Sequence, residues 1–217
     1  MPPALWARLQ ALCTATHPTA ERGGLLPGLT ETEVARVQEA LGLTLPSDLA
    51  EAYRAFNGMG LHSGMRLLPE GFAWLPLMPD SRGADVLSKW RIVRSMVDAA
   101  HQDADRAQRL REDRLAAIEV SELTFPGFLD ATRIPVGDDG AGEWVFAETQ
   151  PLPGGAVGQV VLSDPGLPGS AQVIASSFIG LIERVVVAFE RGEIRYDFAD
   201  RARWVYCATG EDFPLAA

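Results

Sequence analysis

The sequence contains very few of the residues that metal, redox or nucleotide chemistry requires. Its 217 residues include one lysine, two cysteines and three histidines. The histidines, at positions 17, 62 and 101, have neither the i, i+4 spacing of a helical metal pair nor a cysteine nearby. Lys89 follows a serine, so the Gly-Lys pair of a phosphate-binding P-loop is missing, and no Gly-x-Ser-x-Gly motif occurs. The sequence therefore predicts no catalytic residue, no metal and no cofactor.

Long hydrophobic runs are also missing. No apolar stretch reaches the roughly 20 residues that a bilayer span requires. The opening Met1-Pro2-Pro3 has neither the basic nor the apolar part of a signal peptide. Cys13 and Cys207 lie at opposite ends of the chain, which favours two separate buried thiols over a clasp between the ends. We therefore expect a cytoplasmic protein with no membrane partner.

Negative charge is in excess and unevenly spread. The chain has 29 acidic against 19 basic residues, a net charge of −10, which argues against a nucleic-acid partner. No basic residue lies between Arg133 and Arg184, whereas the stretch from Arg82 to Arg114 holds eight of the nineteen Lys and Arg residues. This acidic half is interpreted either as a solvated face or as a surface for a basic protein partner, whose approach it would accelerate.

Helices are predicted towards both ends of the chain. The capping box Thr30-Glu31-Thr32-Glu33 opens a helix over about 31–41, which Gly42 ends. Ser47 is expected to cap a second helix over 47–56, and Asn57-Gly58 to end it. Apolar spacing predicts three more helices, which begin near Leu5, after Ser81 and at 177.

The second half is predicted to be mostly sheet. Runs of β-forming residues bounded by Gly and Pro indicate antiparallel strands, most of them after residue 130. The order of elements predicts an α+β single domain with the sheet covered on one side. The predicted strands or extended segments are Met65–Leu68, Phe72–Leu77, Thr132–Val136, Trp144–Ala147, Gly158–Leu162 and Gln172–Ala175.

Three carboxylates surround the glycine-rich turn after the predicted strand at 132–136. Asp138, Asp139 and Glu143 have three interpretations: an ordinary turn, a loop that faces a partner, or a metal or acid–base site. The spacing does not match that of an EF-hand. As surface turn residues, each is expected to tolerate alanine at about 0.5 kcal/mol of stability or less. Trp74 and Trp144 would add aromatic anchors to a partner surface here if they are exposed, although a Trp in an apolar strand is more often core.

The stretch from Glu39 to Gly58 resembles the opening signature of the SUKH superfamily, which includes the fungal cell-wall-assembly regulator and many bacterial immunity proteins. In that signature a helix ends in Leu-Gly, a Leu-Pro link follows, and the next helix ends in Asn-Gly or Asp-Gly. The chain departs from the family pattern at Gly142-Glu143-Trp144, where Gly-Asn or Gly-Asp is usual. The residues that carry the resemblance are Leu41-Gly42, Leu45-Pro46-Ser47-Asp48, Tyr53, Phe56-Asn57-Gly58, Leu67-Leu68-Pro69, Trp74-Leu75-Pro76-Leu77, Ile134-Pro135-Val136-Gly137-Asp138-Asp139-Gly140, Gly158-Gln159 and Ser177-Phe178.

The resemblance implies one SUKH-like domain over 1–217, in which an antiparallel sheet packs against helices from both ends of the chain. Its core would cover about 6–192, with a helical extension at 1–28 and a tail at 193–217. A charged segment at 101–114 would be either an exposed helix with ion pairs or a mobile insertion.

A non-catalytic, protein-binding role is also implied by the resemblance. Most bacterial members neutralise a toxin, often a nuclease, and an acidic inhibitor suits the basic site with which a nuclease holds phosphates. The alternative is a scaffold or regulator of the cell-wall-assembly type, and the third interpretation is an enzyme whose site has no recognised motif. The predicted partner-binding residues are Asp138, Asp139, Glu143, Trp144 and Trp74.

Overall fold

The computed structural model describes residues 3–18, 24–60, 65–79, 85–102, 124–125, 130–151, 154–163, 171–198 and 203–214. Expectations for Ser81 and for residues 103–114 lie outside these ranges. The helices of the described part are α1 Pro3–Thr16, α2 Glu31–Leu41, α3 Ser47–Ala55, α4 Val86–Gln102 and α5 Phe178–Glu190. The strands there are β1 Leu25–Pro27, β2 Phe56–Met59, β3 Ala73–Trp74, β4 Thr124–Phe125, β5 Arg133–Asp138, β6 Trp144–Glu148, β7 Val160–Ser163, β8 Ala171–Ala175, β9 Ile194–Asp197 and β10 Arg203–Tyr206.

A six-stranded antiparallel sheet forms the centre of the molecule. Its strand order is β3-β5-β6-β7-β8-β4, and the strands from β5 to β8 are neighbours both in sequence and in space. Two small antiparallel pairs, β1–β2 and β9–β10, lie beside it. The predicted α+β fold, with an antiparallel sheet mostly in the second half and helices from both ends of the chain, is therefore confirmed.

Helices cover both faces of this sheet, so the expectation of a one-sided cover is wrong. Successive side chains of a strand point to opposite faces. On β6, Val145 joins the main core, which includes buried residues of α1, α2, α3 and α5. Its neighbours Trp144 and Phe146 instead form a second cluster with Val93 and Val97 of α4. The apolar face of α4 is thus used to cover the opposite side of the sheet.

Most local predictions for the first helices are confirmed. Thr30 and Glu33 form the capping box, and Gly42 ends α2 in the left-handed conformation, with φ of 65°. Two details are wrong. Ser47 is not the cap of α3 but its first residue, and no side-chain capping bond is made there. Asn57 and Gly58 do not end the helix but belong to strand β2. Phe56, in an extended conformation, follows the last residue of α3.

The segment before α4 and the C-terminal tail are packed onto the core. Of residues 65–77, only Ala73–Trp74 is a regular strand. In the tail, Trp204 on β10 is fully buried and donates a hydrogen bond from Nε1 to the carbonyl oxygen of Leu67. Both cysteines are free, but Cys207 is exposed and only Cys13 is buried, which corrects the expectation of two buried thiols. No helix in the described part of the chain is long and apolar enough to cross a membrane.

Candidate partner-binding site

Several residues of the family-like pattern meet at a junction between α3, β7 and α5. Asp48 at the start of α3 accepts a hydrogen bond from the backbone N of Phe178, at 2.9 Å, and so holds the first turn of α5. Gly158 packs against the same carboxylate, because a Cβ built there would lie 3.0 Å from its Oδ1. Gly158 also has φ of 89°, a conformation that glycine adopts without steric penalty. This part of the pattern therefore serves the fold.

A second junction joins β2 to the segment after β3. Asn57 accepts hydrogen bonds through Oδ1 from the backbone N of Leu77 and of Met78, at 2.8 and 3.2 Å. Its Nδ2 donates to the Met78 carbonyl at 3.1 Å, and the Tyr53 hydroxyl donates to the Leu75 carbonyl at 2.9 Å. Buried amide and hydroxyl groups need such partners, so the fold itself accounts for the asparagine at position 57 and the tyrosine at position 53.

The β5–β6 turn, residues 138–143, is built around one carboxylate. Oδ1 of Asp139 accepts hydrogen bonds from the backbone N of Ala141, Gly142 and Glu143, at 2.8, 2.9 and 3.0 Å. Oδ1 of Asp138 accepts one from Gly140 at 2.9 Å. The sequence indicated a turn here, and the structure shows that its two aspartates determine the shape of that turn.

Basic side chains from other elements lie against the same turn. The Nζ of Lys89, on α4, is 2.5 Å from Oδ2 of Asp138 and 5.1 Å from the centre of the Trp144 ring. Both partners of this ion pair are mostly buried, with side-chain exposures of 18% and 12%. The Arg66 guanidinium donates to the carbonyl oxygen of Asp139. The acidic run that no base interrupts in the sequence is therefore partly compensated in space, and the lone lysine supplies one of these charges.

The two tryptophans predicted as surface anchors are buried. Trp74 is fully buried and lies between the rings of Tyr53 and Phe178, with ring centres 5.6 and 5.3 Å away. Trp144 is 7% exposed and packs against α4. Neither offers a ring to a partner, so the exposure that an aromatic anchor requires is missing and both tryptophans are core residues, as a Trp in an apolar strand more often is. The three acidic residues do lie together at the turn, and Asp138, Asp139 and Glu143 are each partly buried.

Two features outside this turn were not predicted from the sequence. The first is an ion pair under the sheet face that α4 covers: Nε of Arg133 lies 3.0 Å from Oε2 of Glu148, and the side chains are 2% and 1% exposed. Burial holds the pKa of Glu148 above its ordinary value, although Arg133 opposes the shift. The second is a pair of exposed apolar side chains on α4, Ile92 and Met96, one helical turn apart. Their spacing is visible in the sequence, but the inward-facing valines next to them follow the same helical period, so the sequence does not show that this pair is exposed.

No group of three or more His, Cys, Asp or Glu side chains is placed to hold a metal ion within the described ranges. At the turn itself, Oδ1 of Asp139 already accepts three amides, and Asp138 is engaged with Lys89.

The antiparallel sheet, its two-sided helical cover and the two junctions define an α+β protein in which the motif residues maintain the fold. The model of the SMI1 / KNR4 family (SUKH-1) matches residues 28–184, so the chain belongs to this family. The resemblance seen in the sequence is thereby confirmed. Helix α1 and the β9–β10 pair lie outside the matched range. No curated protein matches the chain. Membership in the family is consistent with a protein-binding role in immunity or regulation.

Proposed function

We propose that this chain is a non-catalytic, protein-binding module that acts in the cytoplasm as an immunity protein for a nuclease-type toxin. The proposal places the toxin against the β5–β6 turn, where Gly140 and Ala141 are exposed and the three predicted acidic residues lie together. The family supplies the general role, since immunity and regulatory members act by binding proteins. The turn supplies the observation that supports this particular surface.

That observation is the set of side-chain contacts that hold the turn. A surface turn normally needs few side-chain contacts, yet this one is held by the carboxylate of Asp139, by Lys89 and by Arg66. A loop that is fixed before binding loses little conformational entropy when it binds, so it binds more tightly than a mobile loop of the same sequence. Because its charges are partly neutralised locally, the turn would recognise a partner through shape and hydrogen bonds.

Charge would act at longer range. The chain carries a net charge of −10, and a nuclease that holds phosphates carries a basic site, so the two proteins attract each other before contact. We expect the association rate to fall as salt rises, because the Debye length shrinks to about 10 Å at 0.1 M. The dissociation rate, which depends on the contacts at the turn, should change much less.

The decisive experiment compares two exposed alanines in two turns. Ala141→Arg places a large side chain on the β5–β6 turn, while Ala156→Arg makes the same change in the β6–β7 turn, at the other end of β6. Tagged wild-type and variant proteins would capture partners from cell extract, and the recovered partner would be measured by binding kinetics. We expect Ala141→Arg to weaken binding at least tenfold and Ala156→Arg to leave it unchanged. Equal effects of the two variants would refute the turn as the binding surface.

The recovered partner also separates immunity from regulation. When expressed alone, a toxin should arrest growth, and co-expression of the wild-type chain should restore growth, whereas the Ala141→Arg variant should not. A partner that is harmless alone and bears no nuclease activity would contradict the immunity proposal and support the scaffold or regulatory role.

A further inference from the structure

The two C-terminal strands hold the chain segment that precedes β3. Tyr196 on β9 and Trp204 on β10 are cross-strand neighbours, and their rings pack edge to face with centres 5.0 Å apart. The Tyr196 hydroxyl accepts a hydrogen bond from the backbone N of Arg66 at 2.6 Å. Nε1 of Trp204 donates to the carbonyl oxygen of Leu67, the next residue, at 2.8 Å. Two successive residues of this segment are therefore attached to the β9–β10 pair.

The same segment reaches the β5–β6 turn through the side chain of Arg66. Its guanidinium donates to the carbonyl oxygen of Gly71 at 2.8 Å and to the carbonyl oxygen of Asp139 in the turn. A Cβ built at Gly140 would lie 3.4 Å from Nη2 of this arginine, so the guanidinium also packs against the backbone of the turn. Arg66 thus binds β9 with its backbone and the β5–β6 turn with its side chain.

The hold of Arg66 on the turn depends on the position of its own backbone. An arginine side chain has several rotatable bonds, so it fixes a neighbour only where its backbone and its guanidinium are both held. The backbone N of Arg66 is partly buried, and the Tyr196 hydroxyl is the acceptor that satisfies it. Without that hydroxyl the amide would lose this acceptor, and the segment would shift towards another one. Such a shift lengthens the hydrogen bond from the guanidinium to Asp139.

We propose that Tyr196 positions the β5–β6 turn through Arg66. Tyr196 is then a positioning residue of the candidate binding surface, and Arg66 transmits its effect. Strands β9 and β10 lie outside residues 28–184, the range that the family model matches, so strands beyond that range take part in shaping the turn. The inference rests on the proposed function only for its consequence in partner binding, because the positioning itself is measurable without a partner.

The first test is amide hydrogen exchange of the full-length protein, followed by NMR. The reporters are the amides of Gly142 and Glu143, which donate to the Asp139 carboxylate and are partly buried. Tyr196→Phe removes only the hydroxyl and should accelerate the exchange of both reporters at least tenfold. Tyr206→Phe makes the same change on β10 and should accelerate them less than twofold. Equal effects of the two variants would overturn the proposal. Unchanged protection of the β7 amides would show that each variant keeps its fold.

The second test examines whether Tyr196 acts through Arg66. Arg66→Met removes the guanidinium but keeps the backbone N that bonds to Tyr196, and it should accelerate the same reporters at least tenfold. In the Arg66→Met background, Tyr196→Phe should accelerate them less than twofold further, because the side chain that transmits its effect is gone. A further tenfold acceleration in that background would show that the two residues act independently. That result would overturn the proposal, as would an Arg66→Met variant with unchanged exchange.

Binding to the recovered partner separates this inference from the proposed function. Tyr196→Phe should weaken partner binding at least threefold, because a loosened turn must be ordered when it binds, and Tyr206→Phe should leave binding unchanged. If the reporters exchange faster in Tyr196→Phe while binding is unchanged, the positioning by Tyr196 stands, and the β5–β6 turn is not the binding surface. If their exchange is unchanged in Tyr196→Phe, the positioning is refuted whatever the binding result.

Discussion

The carboxylate of Asp139 offers the sharpest test of how the β5–β6 turn is built. Asp139→Ala removes one oxygen that accepts three backbone hydrogen bonds, from residues 141, 142 and 143. The amides of Gly142 and Glu143 are partly buried, whereas that of Ala141 is exposed and can bond to water after the substitution. The turn must then either leave two donors poorly paired or change its conformation.

The expected loss follows from those two partly buried donors. A hydrogen bond contributes about 0.5–1.5 kcal/mol to stability, and the upper part of that range suits a charged acceptor. Two of them predict a loss of about 2 kcal/mol, well above the 0.5 kcal/mol expected for an ordinary surface turn residue. For a chain of this size, that corresponds to a fall in Tm of roughly 4–8 °C.

Urea unfolding of three variants would measure this. Asp139→Asn keeps an oxygen that can accept the same amides, so it should lose less than half as much stability as Asp139→Ala. Asp98→Ala removes an exposed aspartate whose ion pair in the described part of the chain is the i, i+4 pair with Arg94, and it should lose about 0.5 kcal/mol or less. If Asp139→Ala is no more destabilising than Asp98→Ala, the turn is not held by this carboxylate, and the argument from a rigid binding loop fails with it.

Three further predictions concern the core and the junctions. Gly158→Ala should lose about 2 kcal/mol of stability in urea unfolding, because the left-handed backbone and the nearby Asp48 carboxylate of α3 both disfavour an added Cβ. The control Gly154→Ala, with φ of 94° and no atom within 4 Å of the added Cβ, should lose about 1 kcal/mol. Equal losses would show that the Asp48 carboxylate does not restrict residue 158. In native protein a thiol reagent should modify Cys207 but not Cys13, because Cys13 is buried and burial raises the pKa of its thiol to about 12. Modification of both cysteines would show that Cys13 is accessible. Arg133→Met should lose about 3 kcal/mol of stability at pH 7, because it leaves the buried Glu148 carboxylate without its partner. The loss should be smaller near pH 4, because burial raises the folded-state pKa of Glu148 and a protonated carboxyl group needs no ionic partner. A loss of stability that does not depend on pH would contradict this.

The helices and strands were largely predictable because their signals are local. The capping box at Thr30 and the apolar spacing of Phe178, Leu181 and Val185 lie within one or two turns of helix, and the structure has helices where they indicate them. The position of Asn57 in a strand was not predictable in this way. Its side chain is bonded to Leu77 and Met78, about twenty residues further along the chain, and no local pattern reports that contact.

The grouping of three acidic residues at one turn was predictable, but the environment of those residues was not. The sequence placed three acids at one turn, and the structure has them there. Their environment depends on Lys89 and Arg66, which are distant in sequence and reach the turn only because α4 and the segment before β3 pack beside it. For the same reason, only the elements that pack over Trp74 and Trp144 determine that both rings are buried.

By itself, the sequence determined most of the element types, the α+β class, the net charge of −10 and the family pattern, because each depends on short-range order or on composition. Only the tertiary structure decided which charges are compensated and which apolar side chains are exposed. Electrostatic interactions and burial depend on distance in space, and the packing of α4 across the sheet brings the basic stretch of the sequence onto the acidic one. That packing also leaves Ile92 and Met96 facing outward, on a helix whose other apolar face is fully used.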